Sequence, residues 1–349
     1  RRRSMRYLLI LLLTASVFAQ QPQRKMVRIG GGDTSERTKG WPELVKSDDA
    51  LASIDKLATE LAERDLYSGT LLVAKDGKTL TVKSYGKGND AETKFNIGSI
   101  SKIFTQVALM QLRDAGKLDF SKTVRTYLPD YPSKIADEVT IQQLLDHSSG
   151  MGDIFGERFQ ASHASLKTLQ DYAKLFADQP LEFDPGTRRR YSNAGYIVLG
   201  LIVEKVSGET WYDYVRNHIY KPAGMTSSDA FALADATPNR AVGMTGEPKN
   251  RKPNDDMLPA RGSSAGGTYS TVNDLLRFTQ ALPKLLGEKT FDAFIGKHPG
   301  VGWGGGTPGA NAVVELEGPY TIIVLSNYDP PSAEYVGRNA RAALGLMSE

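Results

Sequence analysis

The sequence predicts an α+β fold: one antiparallel sheet assembled from both chain ends and flanked by helices, with an all-α region inserted between them. Two observations predict it. Strand-like runs occur only at 69–74 and 79–85 near the start and at 312–316 and 320–326 near the end. Between them, from Ser99 to about Tyr220, apolar residues recur mainly at helical spacing. The cleft where the two regions meet is then expected to contain the start of the helix that opens at Ser99.

Taken in order, Leu51, Ile54, Leu57, Ala58 and Leu61 share one helical face. The runs 69–74 and 79–85 meet at Asp76-Gly77, a hairpin signal because both turn residues tolerate positive φ. The helix entered at Ser99 stays mostly apolar from Ile100 to Leu112. Helical patterns follow at 141–145, 166–176, 194–206, 211–219 and 273–282. The last two strands turn at Glu317-Gly318, and a final helix is expected over about 333–346. This reads as one domain, 48–349, with a sheet region at 48–98 and 268–349 and a helical region at 99–267.

With 349 residues, 40% hydrophobic and 24% charged, the chain has the composition of an ordinary soluble globular protein. Its formal charge of +3 and isoelectric point near 8.8 invite a nucleic-acid or membrane partner. The charge is misplaced for that. Arg1, Arg2, Arg3 and Arg6 precede a short apolar run, Tyr7 to Val17, and then small residues, the pattern of a secretory signal peptide. The run is shorter than the ~20 residues of a spanning helix. Residues 1–19 are read as the leader, with Met5 as initiator and cleavage after Ala19. Its removal takes four arginines and no acid, lowering the charge from +3 to −1. Residues 20–47, with Gly30-Gly31-Gly32 and Pro42, read as a flexible leader to the domain. No nucleic-acid partner and no membrane insertion after cleavage are expected; the location is secreted or periplasmic. There is no cysteine, which excludes a disulfide framework. Four scattered histidines without ligand spacing call for no metal site.

The chemistry-bearing residues cluster around the Ser99 helix. Ser99, Lys102 and Gln106 stand at i, i+3 and i+7 and share one polar side of an otherwise apolar helix. Burying an ammonium is costly and depresses its pKa, and a neutral lysine beside a serine hydroxyl activates a weak nucleophile. Ser-x-x-Lys also occurs at Ser53–Lys56 and Ser84–Lys87, so context must choose. Tyr191-Ser192-Asn193 follows the turn Pro185-Gly186 and precedes a helix from about Ala194. A tyrosine there can project into a cleft, and beside a cationic lysine its phenol is expected to ionise more easily. The alternative is that Asn193 caps the helix and Tyr191 packs on its first turn.

Gly304-Gly305-Gly306-Thr307, between Trp303 and the strand at Ala312, reads as a glycine-rich segment whose N–H groups approach a ligand, as an oxyanion hole requires. His147-Ser148-Ser149-Gly150 reads as a helix end with the glycine permitting the turn. A rival nucleophile, Ser264 in Gly262-Ser263-Ser264-Ala265-Gly266, matches the Gly-x-Ser-x-Gly elbow but lacks the apolar strand that motif needs before it.

Together these motifs resemble the serine β-lactamase and penicillin-binding superfamily, particularly its class C-like secreted hydrolases and esterases. The resemblance spans about 53–346. It rests on Phe95-Asn96-Ile97-Gly98-Ser99-Ile100-Ser101-Lys102, Leu144-Leu145-Asp146-His147-Ser148-Ser149-Gly150, Tyr191-Ser192-Asn193, Ala265-Gly266-Gly267-Thr268-Tyr269-Ser270-Thr271 and Gly305-Gly306-Thr307-Pro308-Gly309. It implies the β-lactamase/transpeptidase-like fold. It also implies Ser99 as the acyl-accepting nucleophile, Lys102 and Tyr191 as the proton-transfer pair, and Asn193 orienting Lys102 and the substrate. The third motif maps to Trp303-Gly304-Gly305, and the N–H groups of Ser99 and Gly306 are implied as the oxyanion hole.

Two departures bear on specificity and on the sheet. Trp303 stands where β-lactamases carry a lysine that helps bind a substrate carboxylate. Relatives also carry a strand before this motif, and 291–302 leaves little room for one, so an altered sheet edge is expected. The function expected from this is a secreted serine hydrolase forming an acyl-enzyme on carboxylic esters, without a cofactor. A D-alanyl peptidase, amidase or weak β-lactamase on the same site is the nearest alternative. A non-catalytic cell-wall or ligand-binding module is the other, although it would have no need of a proton-transfer set. The expected partner is a small-molecule ester, amide or peptide.

Overall fold

The computed structural model describes residues 37–296 and 300–346. The expected signal peptide at 1–19, with its cleavage after Ala19, lies outside the described residues, as does most of the expected leader. The elements that position the site are β1 (Gly69–Lys75), β2 (Lys78–Tyr85), β3 (Gly300–Thr307), β4 (Ala310–Glu317) and β5 (Tyr320–Ser326). The helices are α1 (Ala50–Glu63), α2 (Ser101–Asp114), α3 (Ile141–Leu145), α4 (Asn193–Ser207), α5 (Val272–Leu286) and α6 (Ser332–Ala343).

The sheet is antiparallel throughout, in the order β2-β1-β5-β4-β3. The two chain ends therefore meet in its middle, where Gly69 stands opposite Ser326 and Lys75 opposite Tyr320. Asp76 and Gly77 turn the first hairpin at φ 50° and 73°, both in the left-handed region, as the sequence predicts. Strand alternation gives two buried faces. Leu71, Val73, Val313, Ile322 and Val324 face one cluster, completed by Ile54, Leu57, Ala58 and Leu61 of α1 and Val336 and Ala340 of α6. Leu72, Ala74, Ala312, Val314, Ile323 and Leu325 face the other, shared with α2, α4 and α5. A sheet covered on both faces explains why these strands read as continuous apolar runs.

Several boundaries differ from the periodicity. Within 166–176 the α-helix covers only Leu169–Ala173, which Thr168 and Asp171 close with reciprocal hydrogen bonds at its start. The last helix ends at Ala343. Residues 40–42, expected in the flexible leader, are docked. Trp41 meets the Tyr335 ring edge-on at 5.0 Å, and the Tyr335 hydroxyl donates to the Pro42 carbonyl at 2.9 Å. The large ring finds apolar surface on α6, which the surrounding polar sequence does not announce.

Among the described residues no strand lies between 291 and 300, and the sheet ends at β3. The glycine-rich segment, which carried no strand signal, is itself an eight-residue edge strand, β3, in unbroken register with β4 from Gly300–Glu317 to Thr307–Ala310. Five of its eight residues are glycine (Gly300, Gly302, Gly304, Gly305 and Gly306), so no period-2 pattern of side chains marks it.

Candidate active site

Ser99 lies in a tight turn, Gly98–Ile100, that runs directly into α2. Gly98 has φ +52°, and a Cβ there would sit 2.7 Å from the Gly306 nitrogen. A Cβ on Gly305 would sit 2.0 Å from the Ile97 carbonyl oxygen and 3.0 Å from the Ser99 nitrogen. Only glycine at both positions lets strand β3 lie against the Ser99 turn. The backbone nitrogens of Ser99 and Gly306, implied as the oxyanion hole, are thereby brought to the same turn. Asn311 pins the strand from behind: its amide donates to the Gly305 carbonyl at 3.0 Å, and its carbonyl accepts from Ala333 N at the start of α6 at 2.8 Å.

The Ser99 hydroxyl oxygen is 3.2 Å from Lys102 Nζ and accepts from Tyr191 Oη at 2.8 Å. Lys102 is only 6% exposed. Its Nζ donates to Asn193 Oδ1 at 2.7 Å and to the Ala265 carbonyl, and it lies 4.8 Å from the Tyr191 ring centroid and 5.3 Å from that of Tyr196. Burial lowers the lysine to about 7, against the opposing pull of Asp153. Gln106, the third residue of the expected polar face, donates to Tyr196 Oη at 2.7 Å.

Tyr191 corrects one expectation. Burial pushes its phenol well above the ordinary tyrosine value, even with the Ser99 hydrogen bond favouring ionisation. The phenol therefore stays protonated and donates to Ser99.

The capping role weighed for Asn193 belongs to Ser192, whose hydroxyl accepts from Gly195 N at 3.0 Å. Asn193 is free to turn its side chain inward, where its amide nitrogen meets both oxygens of Asp153 at 3.0 Å. At the end of α3, Ser148 N bonds to the Gln143 carbonyl at 2.8 Å and His147 N to that of Leu144 at 3.3 Å. Gly150, at φ 78°, permits the turn as expected, and His147 is left-handed as well, at φ 57°. That conformation turns the imidazole onto the rings of Tyr191 and Tyr196, with centroids 4.5 and 5.1 Å away. His147 Nδ1 accepts from Ser192 N at 3.2 Å, and burial with the nearby Lys102 lowers the ring to about 3, so it is neutral.

Trp303 stands half-buried on β3, packed against the larger core. It is two residues from Gly305 and so on the strand face that meets the Ser99 turn, whereas Gly304 and Gly306 face the other way. Gly306 can reach the site only through its backbone.

The rival motifs resolve by burial. Ser264 is fully buried, and its hydroxyl donates to the Tyr196 carbonyl at 2.8 Å. Ser53 donates within the first turn of α1, to the Asp49 carbonyl at 3.1 Å, while Lys56 and Lys87 are exposed. Among the described residues no cluster of histidine and carboxylate side chains could hold a metal, and no helix is long and apolar enough to cross a membrane. Asp153, the His147 ring and the Ala265 carbonyl were missed in the sequence. Asp153 had a weak signal, an acid just after the His-Ser-Ser-Gly turn. A backbone carbonyl has none.

A family model described as Beta-lactamase matches residues 54–347. A putative penicillin-binding protein, PbpX, of Bacillus subtilis (strain 168) is 31% identical over 287 residues, covering 78% of this chain and 70% of that protein. Penicillin-binding protein 4* of the same organism is 30% identical, but the chain spans only 55% of its length. Among solved structures, a penicillin-binding protein from Bacillus halodurans superposes with TM-score 0.72 at 30% identity, covering 81% of this chain and 98% of that one. A D-stereospecific amidohydrolase from Streptomyces sp. shares the fold at TM-score 0.71 and 22% identity, covering 86% of this chain and 100% of that one. With the Ser99 turn, the Tyr191 segment and the glycine-rich edge strand closing on one cleft, the chain belongs to the β-lactamase family, the superfamily of serine β-lactamases and penicillin-binding proteins.

Proposed function

We propose that the protein is a secreted serine hydrolase that forms an acyl-enzyme on Ser99 and acts on carboxylic esters. The observation that carries the reading is the Ser99 hydroxyl within reach of two groups of opposite role: Lys102 Nζ at 3.2 Å and Tyr191 Oη at 2.8 Å. Lys102, lowered to about 7, is the base that takes the serine proton as Oγ attacks the acyl carbon. The ammonium so formed is held by Asn193 Oδ1 and the Ala265 carbonyl. The N–H groups of Ser99 and Gly306 stabilise the tetrahedral oxyanion. Tyr191, kept protonated by burial, gives its proton to the leaving oxygen as the ester C–O bond breaks and regains one from the Lys102 ammonium, so the alcohol leaves neutral and Lys102 is again an unprotonated amine. Water then repeats the cycle on the acyl-enzyme, with Lys102 again as base.

Specificity for esters rests on Trp303. An indole presents an apolar face and one N–H donor where a lysine would attract a carboxylate. Amide and peptide hydrolysis is the second reading, favoured by the names of relatives such as an N-acetylmuramyl-L-alanine amidase of Bacillus subtilis (strain 168), 29% identical over 246 residues. Secretion rests on the arginine-rich, then apolar, start of the sequence.

The test is labelling with a fluorophosphonate and mass-spectrometric location of the adduct, followed by kcat/KM on p-nitrophenyl esters, D-amino acid amides and nitrocefin. An adduct on Ser99 and a preference for uncharged esters are expected. No adduct on Ser99 sinks the hydrolase reading, and a preference for amides or nitrocefin replaces the ester reading with the second. Export of the full chain fused to a reporter that is active only outside the cytoplasm tests the leader.

A further inference from the structure

Asp153 belongs to none of the motifs that marked the site, yet its side chain ends inside it. It follows the turn after α3 in a segment anchored to the start of α4: Ser192 Oγ donates to the Gly152 carbonyl at 2.6 Å. The carboxylate is steadied by its own chain, accepting from Ile154 N at 2.6 Å. It is half-buried, and both its oxygens stand 3.0 Å from Asn193 Nδ2.

We propose that Asp153 is a positioning residue of the proton-transfer set, fixing the Asn193 amide with Oδ1 toward Lys102 and placing a negative charge one amide group away from that amine. The proposal deepens the reading of Ser99 as nucleophile and Lys102 as base, and rests on it for its catalytic meaning.

The amide orientation follows from charge on both sides. A flipped Asn193 would turn its carbonyl oxygen toward a carboxylate and its N–H groups toward an amine, losing a hydrogen bond at each end. The two oxygens of one carboxylate are too close together to serve two diverging N–H bonds, so they share one. The other N–H of Asn193 is left for the cleft, where a substrate carbonyl can accept it.

The charge follows from what else surrounds the amine. Lys102 faces the neutral Ser99 hydroxyl from the turn before α2, the Ala265 carbonyl from the segment before α5, and the rings of Tyr191 and Tyr196. His147, stacked on those rings, is neutral above about pH 3. Arg189 is exposed and acts on His147 and Tyr196. Among the described residues Asp153 is the charge that holds the lysine up against desolvation. Removing that charge without removing the hydrogen-bond acceptor therefore lowers the lysine further, because the ammonium loses the counter-charge that opposes desolvation.

Two measurements test this on the full chain, with Asp153→Asn, which keeps size and acceptor, and Asp153→Ser as a smaller second variant should the first fold poorly. The first is a pH titration of ε-13C-lysine-labelled protein by NMR, the Lys102 signal being identified by its loss in Lys102→Arg. The second is the pH dependence of Ser99 labelling by a fluorophosphonate. Asp153→Asn is expected to move the Lys102 titration down by about one pH unit or more, and the labelling limb with it. Asp153→Ser, which also releases the amide, is expected to show the same shift and at least ~10-fold slower labelling at alkaline pH. Lys102 titrations that superimpose on wild type in both variants overturn the proposal, even if labelling slows, because a merely structural role would slow it without moving the limb. If wild type is never labelled but the NMR titration still moves, the hydrolase reading falls and the assignment of Asp153 to Lys102 stands.

Discussion

The imidazole of His147 lies against the phenol ring of Tyr191, with centroids 4.5 Å apart and planes inclined by 29°. The stack holds the Tyr191 hydroxyl at Ser99, and it depends on a histidine in the left-handed conformation at the end of α3. His147→Ala should slow Ser99 labelling about tenfold or more, because an unsupported phenol spends less time in the attacking geometry. His147→Phe keeps a stacking partner and should lose much less. Equal rates for His147→Ala and wild type would show that the stack is incidental to reactivity.

The pH dependence separates Lys102 from His147. A base must be unprotonated to take the serine proton, so kcat/KM should rise with pH through about 7, the value to which burial lowers Lys102. His147, lowered to about 3, contributes no inflection between pH 5 and 8. The inflection near neutrality should therefore persist in His147→Phe. Its disappearance from the rate profile of that variant would transfer the titration to the histidine.

Lys102 and Tyr191 flank one oxygen and should behave as a unit. Lys102→Ala and Tyr191→Phe are each expected to reduce kcat by about a hundredfold or more, with the double variant little worse than either. Losses that add fully in free energy would place the two residues in separate steps. Ser99→Ala should abolish turnover with a melting temperature near wild type. Ser264→Ala should instead act on stability, because its hydroxyl serves the buried Tyr196 carbonyl. Turnover surviving in Ser99→Ala would end the assignment.

Gly305→Ala tests the contact between β3 and the Ser99 turn. The added methyl would lie 2.0 Å from the Ile97 carbonyl oxygen, so strand or turn must shift. Overpacking of this kind costs about 1–3 kcal/mol. A lower melting temperature together with loss of Ser99 labelling is expected. A variant that labels at the wild-type rate would mean that the edge strand does not shape the site.

Trp303→Lys tests specificity. A charge-assisted contact to a carboxylate is worth roughly 1.5–3 kcal/mol, about tenfold to a hundredfold in selectivity. The ratio of kcat/KM for nitrocefin to that for p-nitrophenyl butyrate should rise by that factor. Efficient nitrocefin turnover by wild type, unchanged in the variant, would place carboxylate recognition away from Trp303, with Arg188, Arg189 or Arg190 as the next residues to replace.

The elements and their order were legible in the sequence wherever side chains alternate between two environments. The apolar face of α1, the Asp76-Gly77 turn and the strands on either side of Glu317-Gly318 all carry that alternation, because each residue reports which side of its own element is buried. The Ser99–Lys102 spacing is equally local: one helical turn brings the two groups together whatever the rest of the chain does. Edge strand β3 was misread for the converse reason, since glycines carry no side chain to mark a face.

Only the tertiary structure decided the properties that depend on several elements at once. Tyr191 reaches Ser99 across 92 residues of sequence, and that approach is set by how α2 and α4 pack and by the ring of His147. The lowered pKa of Lys102 and the raised pKa of Tyr191 come from burial, to which many distant residues contribute. The Ala265 carbonyl accepts from Lys102 through backbone that every residue type possesses, so no residue name announces it. Asp153 lies between these cases: its identity was visible, and its partner became visible only when the segment after α3 closed on the start of α4.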